Sequence, residues 1–313
     1  MPPVAFHKGK FMPLEQASVG IMTHAFHYGT GVFEGIRGYW EETAGQMFLF
    51  RVEDHYRRWR ANARLLDLEP SLTARELCEL TAEIIRQNRF RHNVYVRPLI
   101  YHSKIGIGVA YDQEADFMIV ALPFGGYLDS RQGLRVAVSS WRRISDNAIP
   151  SRAKICGAYV NSALATREAR RVGFQDAILL NESGTVSEGP GFNVFLVRGG
   201  CLITPGPTEN ILEGITRDTV LKLAAQELQM KVEERAVARS ELYVADEVFF
   251  TGTAVEIGPV VEIDNRPIGH GRPGKVATEL QRVYREVVRG LAPAYSSWCY
   301  PVFVPSSRQA QKQ

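Results

Sequence analysis

The sequence of 313 residues lacks any run of about 18 consecutive apolar residues, so no membrane-spanning helix is expected. It also lacks a strong charge of either sign, because 37 basic residues face 34 acidic residues. Basic doublets such as Arg142-Arg143 are scattered and do not join aromatic residues in one stripe. These absences argue against a membrane or nucleic-acid partner, and we interpret most of the doublets as solvated helix faces.

Cysteine is scarce, and the four residues, Cys78, Cys156, Cys201 and Cys299, form no CxxC pair. Such a distribution is typical of reduced thiols. The segment after Met1 has neither the basic region nor the apolar region of a signal peptide. We therefore expect a cytoplasmic location. The pair His24 and His27 lacks a cluster of further ligands nearby, so no metal site is expected.

The chain is long enough for two domains with separate cores. In its first part, apolar patterning predicts strands at 47–50, 94–100 and 117–122 and helices at 54–68 and 73–88. Thr73 followed by Glu76 is typical of a capping box at a helix start. This mixture predicts a small α+β domain over residues 1–123.

A turn-rich segment from Pro123 to Asp129 predicts an interdomain connection, which we assign to residues 124–133. The remaining residues, 134–313, predict a larger domain with strands at 134–139, 177–180, 193–197 and 247–251 and helices at 158–172 and 216–228. The stretch from Pro301 to Gln313 is polar and interrupted by proline, so we expect a flexible tail there.

Three segments of the larger domain carry the residue types that one cofactor needs. They are the stretch around Lys154, the acid Glu188, and Gly214-Ile215-Thr216 at the start of a predicted helix. Pyridoxal 5'-phosphate (PLP) requires an amine for a Schiff base, an acid that keeps its ring nitrogen protonated, and donors for its phosphate. A helix start offers unpaired N–H groups to such a dianion. PLP is therefore the expected cofactor.

Two further motifs, HYGTGVFEGIR at residues 27–37 and YVRP at residues 95–98, precede these segments. In this order the five motifs resemble those of branched-chain amino-acid aminotransferases, which belong to the fold type IV group of PLP enzymes. The resemblance runs from about residue 26 to about residue 272. It implies an α+β fold of two domains, with a smaller N-terminal α/β sandwich and a larger C-terminal pseudo-barrel surrounded by helices.

The resemblance also implies a cofactor site with Lys154 as the catalytic residue. Its expected members are Arg58, Lys154, Tyr159, Glu188, Leu212, Gly214, Ile215, Thr216 and Thr253. Tyr159 would donate a hydrogen bond to the phenolic oxygen of the cofactor, and Arg58 would bind its phosphate through a forked set of donors. Glu213 departs from the pattern, since a negative charge beside a phosphate is unfavourable unless it points to solvent.

A second implied group surrounds the substrate. Its expected members are Tyr28, Phe33, Gly35, Tyr95, Arg97, Val109, Tyr127, Thr253 and Ala254. Alternation along a strand places Tyr95 and Arg97 on one face. By the resemblance, Arg97 accepts the distal carboxylate of glutamate, and Tyr28 and Val109 come from a neighbouring subunit. A homo-oligomer with a dimer as its minimal unit is therefore expected.

The implied function is transfer of an amino group between L-leucine, L-isoleucine or L-valine and 2-oxoglutarate by a ping-pong mechanism. Amino acids and 2-oxo acids would be the partners. The same fold also includes transaminases for D-amino acids or (R)-amines and aminodeoxychorismate lyase, but these usually differ at the strand that carries Tyr95 and Arg97, which favours the branched-chain interpretation. A non-catalytic PLP carrier is a further alternative, but it would need neither Lys154 nor Glu188.

Overall fold

The chain forms two sheets with helices packed against them in a computed structural model that describes residues 2–125 and 132–303. The first sheet comprises β1 (Val4–His7), β2 (Lys10–Pro13), β3 (Gly31–Phe33), β4 (Ile36–Glu41), β5 (Gln46–Phe50), β6 (Val94–His102), β7 (Ala115–Pro123) and β16 (Cys299–Pro301). The second comprises β8 (Leu134–Arg142), β9 (Asp176–Leu180), β10 (Asn193–Arg198), β11 (Cys201–Thr204), β12 (Lys231–Glu234), β13 (Glu247–Gly252), β14 (Glu256–Ile263) and β15 (Arg266–Pro267). The α-helices are α1 (His24–Tyr28), α2 (Val52–Ala63), α3 (Ala74–Asn88), α4 (Tyr159–Arg171), α5 (Ile215–Gln226), α6 (Arg239–Tyr243) and α7 (Lys275–Val287). This mixture agrees with the predicted α+β class.

The first sheet is antiparallel at every described pairing, in the order β16-β5-β4-β6-β7-β1-β2, with β3 also paired to β6. Its longest strands, β6 and β7, pair from Val94 opposite Pro123 to His102 opposite Ala115. Along β6, Val94 and Val96 are buried while the intervening residues are partly exposed. This alternation puts the side chains at positions 95 and 97 on one face, as predicted.

Helices α2 and α3 cover one face of the first sheet. Trp59 of α2 is fully buried and donates a hydrogen bond from its indole nitrogen to the Val32 carbonyl at 2.9 Å. The predicted capping box of α3 is present, with the Glu76 N–H donating to the Thr73 hydroxyl at 3.3 Å and the Thr73 N–H donating to the Glu76 carboxylate at 2.8 Å. The helix predicted at 54–68 instead begins at Val52, and its α-helical part ends at Ala63.

The second sheet is mixed, in the order β12-β11-β10-β13-β14-β8-β9, with β15 added to β14. Strands β14, β8 and β9 are parallel neighbours, whereas β10 is antiparallel to both β11 and β13. Helix α4 packs on β8 and β9, and α5 and α7 pack on β13. Residues 143–158 connect β8 to α4, and this segment carries the predicted catalytic residue Lys154.

The two sheets share an apolar core. Tyr39 and Phe50 of the first sheet pack in one cluster with Phe195 and Phe249 of the second sheet and with Tyr284 of α7. The rings of Phe50 and Tyr284 meet edge to face at 5.5 Å between centroids. Such contacts fix the relative position of the two sheets, so a site formed between them has rigid walls.

The end of the described chain returns to the first sheet, where β16 pairs with β5. Val302 is fully buried, and its N–H donates to the Met47 carbonyl at 2.9 Å. The expected flexible tail is therefore wrong for Pro301–Phe303, while its remainder lies outside the described residues. The division of the chain into two domains at residues 124–133 stays a prediction. That prediction does not include the return of β16 to the first sheet. No helix in the described ranges combines the length and apolar character needed to cross a membrane.

Candidate active site

A cleft between the two sheets brings together most of the predicted site residues. Its lining includes Gly35, Arg58, Tyr95, Lys154, Tyr159, Glu188, Leu212, Gly214, Ile215, Thr216, Thr253 and Ala254. An adjoining cleft adds Phe33 and Arg97 and shares Lys154 and Tyr159 with the first. Residues predicted for cofactor and for substrate thus lie on connected surfaces, with Lys154 where the surfaces meet.

Lys154 lies on the segment between β8 and α4, which is tied to the first sheet. Its carbonyl accepts a hydrogen bond from the Phe33 N–H at 3.1 Å, and Val32 pairs with Ile155 in an isolated bridge. The Lys154 Nζ donates to the Tyr159 hydroxyl at 2.8 Å. Lys154 is therefore held in place both by its backbone carbonyl and by its side-chain amine.

Burial alone would lower the pKa of the Lys154 amine, but the Tyr159 oxygen and the Glu34 carboxylate raise it, and the net shift is upward. The groups around the amine therefore favour its charged form. Two glycines, Gly29 and Gly157, pack against each other near this segment, and the Gly157 N–H donates to the Gly29 carbonyl at 3.1 Å. Gly29 has φ of +67°, and a Cβ there would lie 2.7 Å from the Gly157 Cα, so position 29 has no room for a larger residue.

Glu188 is a buried residue of the same cleft lining and is anchored by three donors. Arg143 Nη2 lies 2.8 Å from Glu188 Oε1, while the Asn193 amide and the Leu212 N–H donate to Oε2 at 2.9 and 3.0 Å. Burial raises the pKa of Glu188, and the Arg143 charge partly offsets that rise. The carboxylate is thus fixed in position by its own partners.

Arg143 and Asn193 are site residues that the sequence motifs do not reveal. Interpreting the doublet Arg142-Arg143 with the other doublets as a solvated helix face is wrong for Arg143, because it is 8 % exposed and paired to Glu188. Alternation gives no signal for it, since residues 140–142 at the end of β8 are all exposed. Asn193 begins β10, and no local pattern marks it as a support for Glu188.

The start of α5 forms the expected anion site. Gly214 precedes the helix, and Ile215 and Thr216 open its first turn. A Cβ at Gly214 would lie 2.1 Å from Asn193 Oδ1, so only glycine allows this approach. The helix N-terminus and the buried Thr216 hydroxyl offer donors to a phosphate group. These features fit the phosphate of PLP.

Arg58 of α2 reaches the same place from the first sheet. Its Nη1 donates to the Glu213 carbonyl at 2.7 Å. The Glu213 side chain is half exposed and lies 3.3 Å from Arg152 Nη1, so its charge is solvated and paired with a cation. The departure at position 213 therefore does not disfavour phosphate binding.

Tyr95 and Arg97 line the substrate side. The Arg97 Nη2 donates to the Tyr95 hydroxyl at 3.1 Å, and its guanidinium lies 4.4 Å from the centroid of the Phe33 ring. Within the described part of the chain, the buried Arg97 Nε has no hydrogen-bond partner. A Cβ at Gly35 would lie 2.0 Å from the Tyr95 hydroxyl oxygen, so glycine at 35 makes room for this tyrosine.

Two predicted substrate residues do not line this cleft, and a third lies outside the described part of the chain. Tyr28 and Val109 line neither surface; instead the Tyr28 hydroxyl accepts a hydrogen bond from the Gly108 N–H at 3.0 Å. Val109 is 78 % exposed. The third, Tyr127, lies outside the described residues. Phe124, the first residue of the predicted interdomain connection, has its ring 5.3 Å from that of Tyr95.

Comparisons with known proteins agree with this geometry. Residues 31–263 match the family described as amino-transferase class IV. A probable branched-chain-amino-acid aminotransferase of Aquifex aeolicus is 50% identical over 300 residues, which are 96% of each chain. Crystal structures of two branched-chain aminotransferases, that of Thermoproteus uzoniensis with norvaline and that of Thermobaculum terrenum in its PLP form, superpose with TM-scores of 0.91 and 0.90. Both are 40% identical to this chain, of which they cover 96% and 97%, and each comparison covers 99% of the other chain.

Proposed function

The chain belongs to the class IV aminotransferase family, and on this premise we propose that it exchanges the amino group between L-leucine, L-isoleucine or L-valine and 2-oxoglutarate with PLP as cofactor. The observation that carries the proposal is the meeting of Lys154, Glu188 and the start of α5 in one cleft beside Tyr95 and Arg97. An amine, a buried acid and an anion site are the three groups that PLP needs. The Thermobaculum terrenum relative in its PLP form supports the same cofactor.

The cofactor would be held from both sheets. Ile215, Thr216 and Arg58 would bind the phosphate, and Thr253 lies in the same lining. When bound, PLP supplies an aldehyde that joins amines and a protonated ring that withdraws electrons from the amino-acid Cα–H bond. Glu188, fixed by Arg143, would hold the proton on the ring nitrogen by charge pairing.

Lys154, as the neutral amine, would take the proton from the substrate Cα at its Nζ and deliver it on the cofactor side of the transferred nitrogen. Its 2.8 Å contact with the Tyr159 hydroxyl orients the amine. The Lys154 carbonyl accepts a hydrogen bond from the Phe33 N–H. Because this contact fixes the Lys154 backbone, the amine can move only within the reach of its own side chain. A ping-pong reaction needs this return step twice, first with the amino acid and then with the 2-oxo acid.

The substrate side offers an apolar wall with one cationic corner. The Tyr95 hydroxyl and the backbone N–H groups at Thr253 and Ala254 would hold the α-carboxylate, and Phe33 and Gly35 would face an aliphatic side chain. The Arg97 guanidinium, with its Nε unpartnered in the described chain, would accept a distal carboxylate. One site would thus accept leucine and glutamate in turn.

Replacing Arg97 with methionine tests whether its guanidinium binds the distal carboxylate. We expect the KM for 2-oxoglutarate to rise by about 10- to 100-fold, because a charge-assisted pair is lost, while the half-reaction with L-leucine stays within about threefold. Single-turnover kinetics with each substrate measure both effects. Tyr95→Phe is the matched control, since it should weaken leucine and 2-oxoglutarate alike. Equal losses for both substrates in Arg97→Met would contradict the assignment.

An exposed apolar patch supports self-association. The patch, defined by Ile21, Phe26, Ile105, Ile107 and Val109, has side chains that are 64–84 % exposed. Its two segments are joined, because Thr23 pairs with Ile105 and the Gly106 N–H donates to the Met22 carbonyl. Exposed apolar surface of this kind marks interaction sites. We infer that the patch packs on a second copy and carries Tyr28 and Val109 to that copy's cleft.

We expect the purified protein to have at least the mass of a dimer, with Ile107→Asp shifted towards the monomer, because burying an unpaired charge in an interface is unfavourable. Light scattering coupled to size-exclusion chromatography measures both masses. Val244→Asp is a suitable control, since Val244 is also exposed but lies on another segment. A monomeric wild-type protein at micromolar concentration would refute the assembly.

A cytoplasmic location belongs to the same proposal. All four cysteines are free thiols, as expected in a reducing compartment. Fractionation of cells producing the tagged protein tests the location, and recovery from a secreted fraction would contradict it.

The decisive experiment for the activity is an absorbance spectrum of the purified protein, reconstituted with PLP, before and after L-leucine is added without a 2-oxo acid. We expect the band of lysine-bound PLP to convert to that of pyridoxamine phosphate. D-alanine and (R)-1-phenylethylamine serve as matched donors. Conversion by these alone, with L-leucine inactive, would replace the branched-chain assignment by one for D-amino acids or amines. Absence of any PLP band after reconstitution would refute the proposal as a whole.

A further inference from the structure

Glu34 lies at the centre of a buried charge cluster beside the cleft. It follows β3 and is fully buried. Arg58 donates to it twice, from Nε to Oε1 at 2.7 Å and from Nη2 to Oε2 at 2.8 Å. His55 Nδ1 lies 2.9 Å from Oε2, and the Gly35 N–H donates to the same oxygen at 3.2 Å. The carboxylate is therefore saturated by groups of the first sheet and α2.

The charge state of Glu34 follows from these partners. Burial alone would raise the pKa of the Glu34 carboxyl, but the Arg58 charge and the His55 hydrogen bond hold that pKa well below its ordinary range. A carboxylate that stays ionised in a buried place needs a permanent countercharge. Arg58 is that countercharge, so the orientation of each group depends on the other.

The geometry leaves Arg58 with donors for one more partner. A guanidinium has five N–H groups. Two of them are used by Glu34 and one, on Nη1, by the Glu213 carbonyl. The remaining N–H groups of Nη1 and Nη2 belong to a side chain that lines the cleft together with Gly214, Ile215 and Thr216. Glu34 itself is not part of that lining, so its hydrogen bonds bear on a phosphate at the start of α5 through Arg58.

We propose that Glu34 is a positioning residue that fixes the Arg58 guanidinium as a preformed phosphate donor at the start of α5. The inference rests on the proposed function, since the phosphate in question is that of PLP. Preorganisation offsets the free-energy cost of burying this charged pair. A mobile arginine would lose side-chain entropy on binding a phosphate, whereas the Arg58 side chain is already ordered by Glu34.

The test compares PLP with pyridoxal, which carries the same aldehyde but no phosphate, in titrations of the apoenzyme followed by absorbance. In Glu34→Gln we expect the Kd for PLP to rise by about 10- to 100-fold and that for pyridoxal to change by less than about threefold. Loss of the preference for phosphate is the signature of a mispositioned Arg58. A general structural defect would weaken both ligands together, and that result, or no change in either Kd, would overturn the proposal.

A double-mutant cycle with Arg58→Ala completes the test. If Glu34 acts through Arg58, Glu34→Gln should add no further loss of PLP affinity in the Arg58→Ala background. This double variant also removes both buried charges, so it stays informative where Glu34→Gln alone, which leaves a cation unpaired, fails to fold. A further loss of about tenfold in that background would overturn the proposal. A wild-type protein that binds no PLP would instead refute the proposed function.

Discussion

Replacing Lys154 with alanine is expected to lower the rate of the L-leucine half-reaction by about 10⁴-fold, because the variant loses both the amine that joins the cofactor and the group that moves the Cα proton. The geometry supports this size of effect. Lys154 is where the cofactor and substrate surfaces of the cleft meet, and its amine is oriented by the Tyr159 hydroxyl at 2.8 Å. Stopped-flow absorbance of the reconstituted variant measures the rate.

Lys154→Arg is the matched control for charge. It keeps a cation near Tyr159 but cannot form the bond to the aldehyde or release a proton near neutral pH, so it should be as inactive as the alanine variant. A small primary amine such as methylamine should restore part of the activity in Lys154→Ala, where space has been created, and none in Lys154→Arg. If Lys154→Ala keeps more than about a tenth of the wild-type rate, another residue moves the proton.

Borohydride reduction gives an independent measurement. It should fix the cofactor covalently on the peptide that contains Lys154, and mass spectrometry of the digested protein locates the adduct. The adduct should be missing from both variants. Detection of the adduct on a different lysine in the wild-type protein would contradict the assignment even if the kinetics agreed.

Part of the site could be predicted from local sequence features, whereas Arg58 and Thr253 are assigned to the cofactor site only by the resemblance to the family. The apolar spacing of Val220, Leu223 and Ala224 predicts a helix here, and the structure opens α5 one residue after Gly214. The alternation of residues 94–100 predicts a shared face for Tyr95 and Arg97, and their side chains are hydrogen bonded. Such features depend on neighbours in the chain, so they can be read without the fold.

The supports of the site could not be predicted, because they are contacts between distant segments. Glu34 meets Arg58 only when α2 packs on the first sheet, and Arg143 meets Glu188 only when β8 lies near the start of β10. Strand β16 has three residues and a partner about 250 positions earlier, so no local pattern announces it. A buried charge is recognised as buried only from the fold.

Among the elements that the sequence prediction left unassigned, one has a clear signal in the sequence. Helix α7 has Ala277, Leu280, Tyr284 and Val287 on its buried face, a spacing typical of an amphipathic helix. These side chains join the core that the two sheets share. The motifs of the site give no assignment to residues 275–287, which pack on strands β13 and β14 of the second sheet.

The second large effect is expected at Glu188. Exchanging it for glutamine should slow the L-leucine half-reaction by about 10²- to 10³-fold, since a neutral amide cannot stabilise the proton on the ring nitrogen and the site loses a preorganised charge. The Arg143 cation, 2.8 Å from Glu188 Oε1, would remain beside the ring and oppose its protonation further. Single-turnover absorbance measures the loss, with the Kd for PLP expected within about tenfold of wild type because the phosphate contacts are untouched.

The step that slows can be identified with leucine deuterated at Cα. In Glu188→Gln, proton removal should become fully rate-limiting, so the isotope effect on the half-reaction should exceed that of the wild-type protein. Glu213→Gln is the matched control, because its half-exposed carboxylate lies beside the same cleft but pairs with Arg152. It should keep its rate within about twofold. A Glu188→Gln rate within about threefold of wild type would mean that the ring nitrogen needs no acid here, and the role of the buried Arg143–Glu188 pair would then be structural.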